Sequence, residues 1–468
     1  MQRLKWVFLV TCLLTSLKGI CKIGFPSVIG DNMVLQRESN VPLWGTASKN
    51  AIVIVVTSWN KKSYKTKAGA NGMWNLYVST PAAGGPYTIS FSDGLLSTLK
   101  NILVGEVWLC SGQSNMEMPV KGFRNQPIMN SNEIAVSAEN PNIRMFLLKK
   151  AVSRVPLDSA TGSWEESNAA TAREFSAIGF QFAQMLQEKL KVPVGVIGTY
   201  WGGTPIQAWM NESSLKDFPQ MKIPVPGDTA KLQSNVPTSL YNAMINPLVG
   251  YGLKGFLWYQ GEANVGNFTI YEKMMQSMVG GWRKLWKNDS LSFYYVQIAP
   301  YAYGADTARR SAYLRESQLA AASSIPNAGM AVAMDVGTQR GIHPPDKTAI
   351  SKRLLYLALA KTYHKNGVAF SGPVYKAMKK DADKITIEFT HADNGLTANG
   401  KELATFEIAG ADHIFYPAIA KIVAGGVTVQ SENVKEPVAV RYAFKDWVMG
   451  DLYNNEGLPA SSFRTDDW

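Results

Sequence analysis

An α/β domain with a mainly parallel sheet, preceded and followed by a β-domain, is predicted by three observations. Between Gly105 and about Tyr363, apolar strand-like runs alternate with helical stretches, the grammar of a parallel sheet with crossover helices. On either side, short strands are broken by Gly, Asn, Asp and Pro clusters, as in β-sandwiches. The length of 468 residues also exceeds one ordinary core, since domains usually hold about 100–200 residues. A content of 46% hydrophobic and 18% charged residues excludes a disordered or fibrous chain. The expected organisation is a leader over 1–21, an N-terminal β-domain over 22–104, an α/β domain over 105–365 and a C-terminal β-domain over 366–468.

The leader is read from a positive start at Arg3 and Lys5, an apolar run over 6–14 and a more polar stretch over 15–19, the layout of a secretory signal peptide. The run is about half of the roughly 20 residues that a membrane-spanning helix needs, so export is expected without a stable membrane span. The destination would be the periplasm or the exterior. Cys21 offers an alternative, a lipid anchor, although Ile20 is a poor match to the small residue that such sites prefer. With Cys12 in the leader and Cys21 at its edge, Cys110 stands alone in the mature chain, which rules out a disulfide framework and suggests a buried small hydrophobe. The formal charge of +11 includes Arg3, Lys5 and Lys18 of the leader, and the remainder stays basic. The basic residues are scattered rather than run together with aromatics, so no nucleic-acid partner is expected.

In the N-terminal part the strands fall at 33–35, 51–57, 74–79 and 87–91. In the central part they fall at 194–200, 255–259, 293–298 and 330–334. Phe175, Ile178, Phe182, Leu186 and Leu190 recur at spacings of three and four, which predicts a helix over 175–190 with one apolar face. A second helix is expected over 350–363, after Pro344 and Pro345. Strands return at 384–390, 426–430 and 437–444.

The chemistry is expected where an apolar strand over 105–110 runs into Ser111, Gly112, Gln113, Ser114, Asn115, Met116 and Glu117. A strand that ends in a Gly turn and opens a helix lifts a serine hydroxyl into the crevice at the sheet edge and aims its own N–H at a developing oxyanion. The same turn would also serve simply as a helix cap. Among four histidines, His343 sits in a Gly/Pro loop between a predicted strand and a predicted helix, where catalytic groups are carried. His364 closes a helix, and His391 and His413 fall in the C-terminal β-region. A nucleophile–base pair of Ser114 and His343 follows, with the group that orients the imidazole left open between Asp335, Asp346 and a backbone carbonyl near Gly341. Gly202 and Gly203, after the strand at 194–200, could bring backbone N–H groups to a reacting carbonyl. Gln260 offers a side-chain amide at the end of the strand at 255–259.

At these blocks the sequence resembles the sialate O-acetylesterase branch of the SGNH (GDSL-type) hydrolases. The matching stretches are 111–117, 200–209, 258–264 and 342–347, with further likeness at 31–36, 175–179 and 456–468. The resemblance implies a three-layer α/β/α, flavodoxin-like catalytic domain between two β-sandwich-like domains. It implies Ser114 as nucleophile, His343 as general base, and an oxyanion hole from the N–H groups of Ser114 and of Gly202 or Gly203 and the side chain of Gln260. The Asp-x-x-His spacing common in such esterases is missing, and Asp335 is carried as the third catalytic candidate. Gln113, Asn115, Trp201, Glu262, Asn264 and Arg340 are the expected substrate contacts. For an anionic sugar, Arg309 and Arg310 are further candidates.

The expected activity is removal of O-acetyl groups, 9-O-acetyl included, from sialic acid or a sialoglycan, through an acyl-enzyme and without metal or cofactor. Acetylxylan or another acetylated carbohydrate is the alternative substrate, and a non-catalytic glycan-binding protein is the alternative class.

Overall fold

The structure, a computed structural model, describes residues 23–225, 227, 229 and 231–468. The leader and Cys21 lie outside the described residues. Among the described residues no helix is long and apolar enough to cross a membrane.

The architecture is organised around one long strand, Leu96–Gly112. Its second half is the centre of a sheet in the order Ala328–Ala331, Ser292–Val296, Gly255–Tyr259, Leu96–Gly112, Val194–Tyr200, Asn140–Leu147 and Trp164–Ser167. All neighbours are parallel except the last pair. With Asn140–Leu147 and Trp164–Ser167 at one edge set aside, the other five strands have the 2-1-3-4-5 order of a flavodoxin-like sheet. The strand order reverses on either side of the central strand, which opens a crevice beyond its carboxyl end.

Alternation along the strands sorts side chains onto two faces. Val107, Leu109, Phe256, Trp258, Phe293 and Tyr295 join the core that holds the helix Phe268–Trp286. Trp108, Cys110, Leu257, Tyr259, Tyr294 and Val296 join the core beneath the helices Ala177–Leu190 and Lys347–Leu357. The sheet thus lies between two helical layers. Cys110 is fully buried, and loss of solvation pushes its thiol up to about 12, so the reading of an inert small hydrophobe holds.

The first half of the same strand carries the N-terminal β-structure. The strand Gly84–Ser92 pairs with it antiparallel, Ile52–Thr57 and Ser63–Lys67 follow outward, and Val34–Gln36 adds in parallel. The expected boundary at residue 104 therefore falls inside one continuous strand. After residue 366 the chain forms two four-stranded sheets and a short two-stranded ribbon.

Helix starts follow their caps. The helix expected from 175 begins at Ala177 because the Ser176 hydroxyl accepts from the Gly179 N–H at 3.1 Å. The helix expected from 350 begins at Lys347 because the Asp346 carboxylate accepts from the Ala349 N–H at 3.0 Å. The strand expected at 330–334 lies earlier, at Ala328–Ala331.

Candidate active site

Register brings three sheet-end turns together. Gly112 stands opposite Tyr200 on one side and Tyr259 on the other, so the residues after all three open onto the same edge. Gly112 has φ +134°, and a Cβ there would lie 2.1 Å from the Tyr259 carbonyl oxygen. Only glycine can make this turn. The short helix Ser114–Glu117 starts immediately beyond it and presents Ser114 half-buried at the crevice.

His343 reaches this serine across the crevice. Its Nε2 lies 2.7 Å from Ser114 Oγ, and its Nδ1 lies 2.5 Å from Gln126 Oε1. An amide oxygen accepts, so Nδ1 carries the proton and Nε2 presents its lone pair to the hydroxyl, the tautomer a general base requires. The Phe123 ring meets the imidazole edge-on at 5.4 Å between centroids. Burial and then the nearby Lys347 charge lower the His343 pKa from 6.5 to about 4, so the ring is neutral at physiological pH.

The group that faces His343 Nδ1 is therefore Gln126, which the sequence reading missed. Asp335 is held elsewhere: both its oxygens accept from Arg353 at 2.7 Å, a bidentate pair with the helix Lys347–Leu357. Asp346 caps that helix, and the Gly341 carbonyl accepts from the Thr338 hydroxyl at 2.7 Å. Gln126 lies in a loop with no periodic pattern, and no sequence signal marked it.

The expected oxyanion donors divide. Gly202 packs against the nucleophile so closely that a Cβ would sit 3.2 Å from Ser114 Cβ. Its N–H, however, donates to Glu117 Oε2 at 2.6 Å. Among the described residues, the N–H groups of Ser114 and Gly203 donate to no protein acceptor. Gln260 is fully buried and its amide is committed inside the fold, which corrects its expected role as a donor. Its Nε2 faces Asn264 Oδ1 at 2.7 Å and the Gln113 Oε1 and Thr204 carbonyl at 3.2 Å, while its Oε1 accepts from Tyr271.

Several expected substrate contacts prove to be internal. Gln113 Oε1 accepts from the N–H groups of Gly261 and Ala263, and Asn264 Oδ1 accepts from the Ile206 N–H. These amides tie the three turns to one another. Asn115 is buried and bonds Glu262 and Lys347. Trp201 is half-buried beneath the Lys150 ammonium, 5.4 Å from its ring, and Arg340 is exposed on the His343 loop. Arg309 faces Glu407 at 3.6 Å, and Arg310 opens the helix Arg310–Ser324. The other histidines sit apart: His413 stacks on Trp468 and His391 meets Phe370 edge-on, while His364 follows the helical turn Ala358–Thr362. A cavity of about 420 Å³ is bordered by Phe123, which meets His343, and by Glu117 on the Ser114 helix, with Lys121, Arg124, Lys150 and Glu174 around it.

The fold and this arrangement are those of a carboxylic ester hydrolase. Residues 104–364 match the family described as carbohydrate esterase, sialic acid-specific acetylesterase, and the chain belongs to that family. It is 29% identical to the rat sialate O-acetylesterase, covering 82% of each chain. It is 28% identical to the human sialate O-acetylesterase, covering 94% of this chain and 92% of the relative. A crystal structure of a carbohydrate acetylesterase from Xanthomonas citri superposes with a TM-score of 0.88 at 35% identity, covering 96% of this chain and all of that one.

Proposed function

We propose that this protein removes O-acetyl groups from sialic acid, the 9-O-acetyl ester included, through an acyl-enzyme on Ser114. The observation that carries the reading is the 2.7 Å contact of His343 Nε2 with Ser114 Oγ. Ser114 attacks the acetyl carbonyl as His343 accepts its proton, and the N–H groups of Ser114 and Gly203 stabilise the oxyanion. His343 then protonates the departing sugar oxygen. Water, deprotonated by the same imidazole, attacks the acetyl ester, and acetate and the free serine are released. The names of the rat and human relatives support sialic acid; in the adjoining cavity Lys121 is paired with Glu174 and Lys150 with Glu117, and Arg124 is the further cation on its lining that an anionic sugar would meet. The leader read in the first 21 residues would export the enzyme to the periplasm or beyond.

A second reading, a neutral acetylated polysaccharide such as xylan, is favoured by the likeness to the Xanthomonas citri carbohydrate acetylesterase. Acetate release from O-acetylated mucin and from acetylated xylan, compared at equal ester concentration, separates the two. Higher kcat/KM on mucin is expected, and a preference for xylan would reassign the substrate.

A further inference from the structure

Behind the Ser–His pair lies a buried arrangement of charge that contacts neither reacting atom. Lys347, buried four residues after His343, donates from Nζ to Asn115 Oδ1 at 2.5 Å. Asn115 Nδ2 donates to Glu262 Oε1 at 2.5 Å and to the Ile342 carbonyl oxygen at 3.1 Å. Glu262 Oε2 is buried with no hydrogen-bond partner among the described residues. The ammonium and the carboxylate are thus joined through the amide between them. A cation on its oxygen side and an anion on its nitrogen side leave that amide only one orientation. The remaining Asn115 proton holds the residue before His343, while Asn115 itself is the residue after Ser114.

We propose that Lys347 and Glu262 are positioning residues that clamp the Asn115 amide, and through it hold the His343 loop in register with the nucleophile turn. This rests on the Ser114–His343 reading above and changes the expected role of Asn115 and Glu262 from substrate contact to alignment. The clamp ties together two segments 227 residues apart in sequence. It also explains why an otherwise costly lysine is buried here, with the Tyr259 ring 5.6 Å from its Nζ as its other neighbour. The charged groups around this side of His343 are Lys347 and Asp346 on its own loop and helix, and Glu262 on the turn after Tyr259. Glu117 on the nucleophile helix is paired with Lys150 at 2.6 Å, Arg124 lies on the Gln126 loop, Arg340 is exposed on the His343 loop, and Arg353 is paired with Asp335. Of these, Lys347 is the cation that opposes protonation of the imidazole.

The test compares wild type, Asn115→Ala, Lys347→Met and Ser114→Ala of the full chain on an aryl acetate across pH, with thermal unfolding as a check on folding. Asn115→Ala is expected to lower kcat about 10- to 100-fold with KM nearly unchanged, as loss of alignment does. Lys347→Met, matched in length and volume, is expected to lower kcat likewise with KM and the unfolding midpoint nearly unchanged, a split that a purely structural lysine would not give, while loss of its charge moves the acid limb of kcat/KM upward. A kcat within twofold of wild type in Lys347→Met would overturn the clamp, wherever the acid limb falls. A raised KM at unchanged kcat in Asn115→Ala would do the same, by making Asn115 a substrate contact. Activity retained in Ser114→Ala would instead overturn the Ser–His reading beneath it.

Discussion

Gln126 Oε1 accepts the Nδ1 proton of His343 at 2.5 Å, in the place where a carboxylate usually stands. An amide oxygen fixes the tautomer but stabilises the imidazolium less than a full negative charge does. Gln126→Ala is therefore expected to lower kcat/KM about 10- to 100-fold, less than the roughly 10⁴-fold that follows when an aspartate triad loses its tautomer control. Gln126→Glu should retain activity, since it restores an acceptor and adds charge. Steady-state kinetics on an aryl acetate read both.

Asp335 gives the opposite pattern. Its bidentate pair with Arg353 is largely buried, and breaking one side of such a pair costs about 3 kcal/mol. Asp335→Asn should lower the unfolding midpoint in denaturant while leaving kcat/KM of the folded enzyme near that of wild type. A loss of turnover without loss of stability would return Asp335 to the catalytic site.

The lowered pKa of His343 sets a pH window. Burial first, and the Lys347 charge second, hold it at about 4 against an ordinary value of 6.5. The base must be neutral, so kcat/KM should stay level as pH falls from 7 to 5 and halve only near 4. Stability has the corresponding sign. The unfolded histidine takes up a proton below 6.5 while the folded one resists it, so the His343 contribution is complete above 6.5 and is lost as pH falls toward 4. A pH profile of hydrolysis and urea titrations at several pH values check the two statements.

The meeting of Ser114 with His343 was legible because strand, glycine turn and helix follow one another directly in the chain before Ser114, and few histidines compete with His343. Gln126 was not, because a tertiary contact across 217 residues leaves no local pattern. The blocks holding Gln113, Asn115, Gln260, Glu262 and Asn264 do gather at the site, but sequence order does not say which way an amide points. Most of theirs are spent tying the three turns together. The helix Arg310–Ser324 escaped notice because its buried side includes Ser311, Arg315 and Gln318, so no apolar stripe marks it. In the helix Phe268–Trp286 the stripe Tyr271, Met274, Met275, Met278, Val279 and Trp282 is regular, and Gly280 and Gly281 fall between its members; a Cβ at Gly281 would lie 2.0 Å from the Ser214 hydroxyl. The strand Leu96–Gly112 reads as apolar near its end, but nothing local shows that it continues from the N-terminal β-structure into the catalytic sheet.

The central claim is that Ser114, activated by His343, carries the acyl group. The most direct measurement is titration of the intact protein with a fluorophosphonate, following acetate release and mapping the adduct by peptide mass spectrometry. One phosphonyl group on Ser114, with activity lost in proportion to labelling, is the predicted result. Full labelling with hydrolysis undiminished, or inactivation through an adduct on another residue, would contradict it.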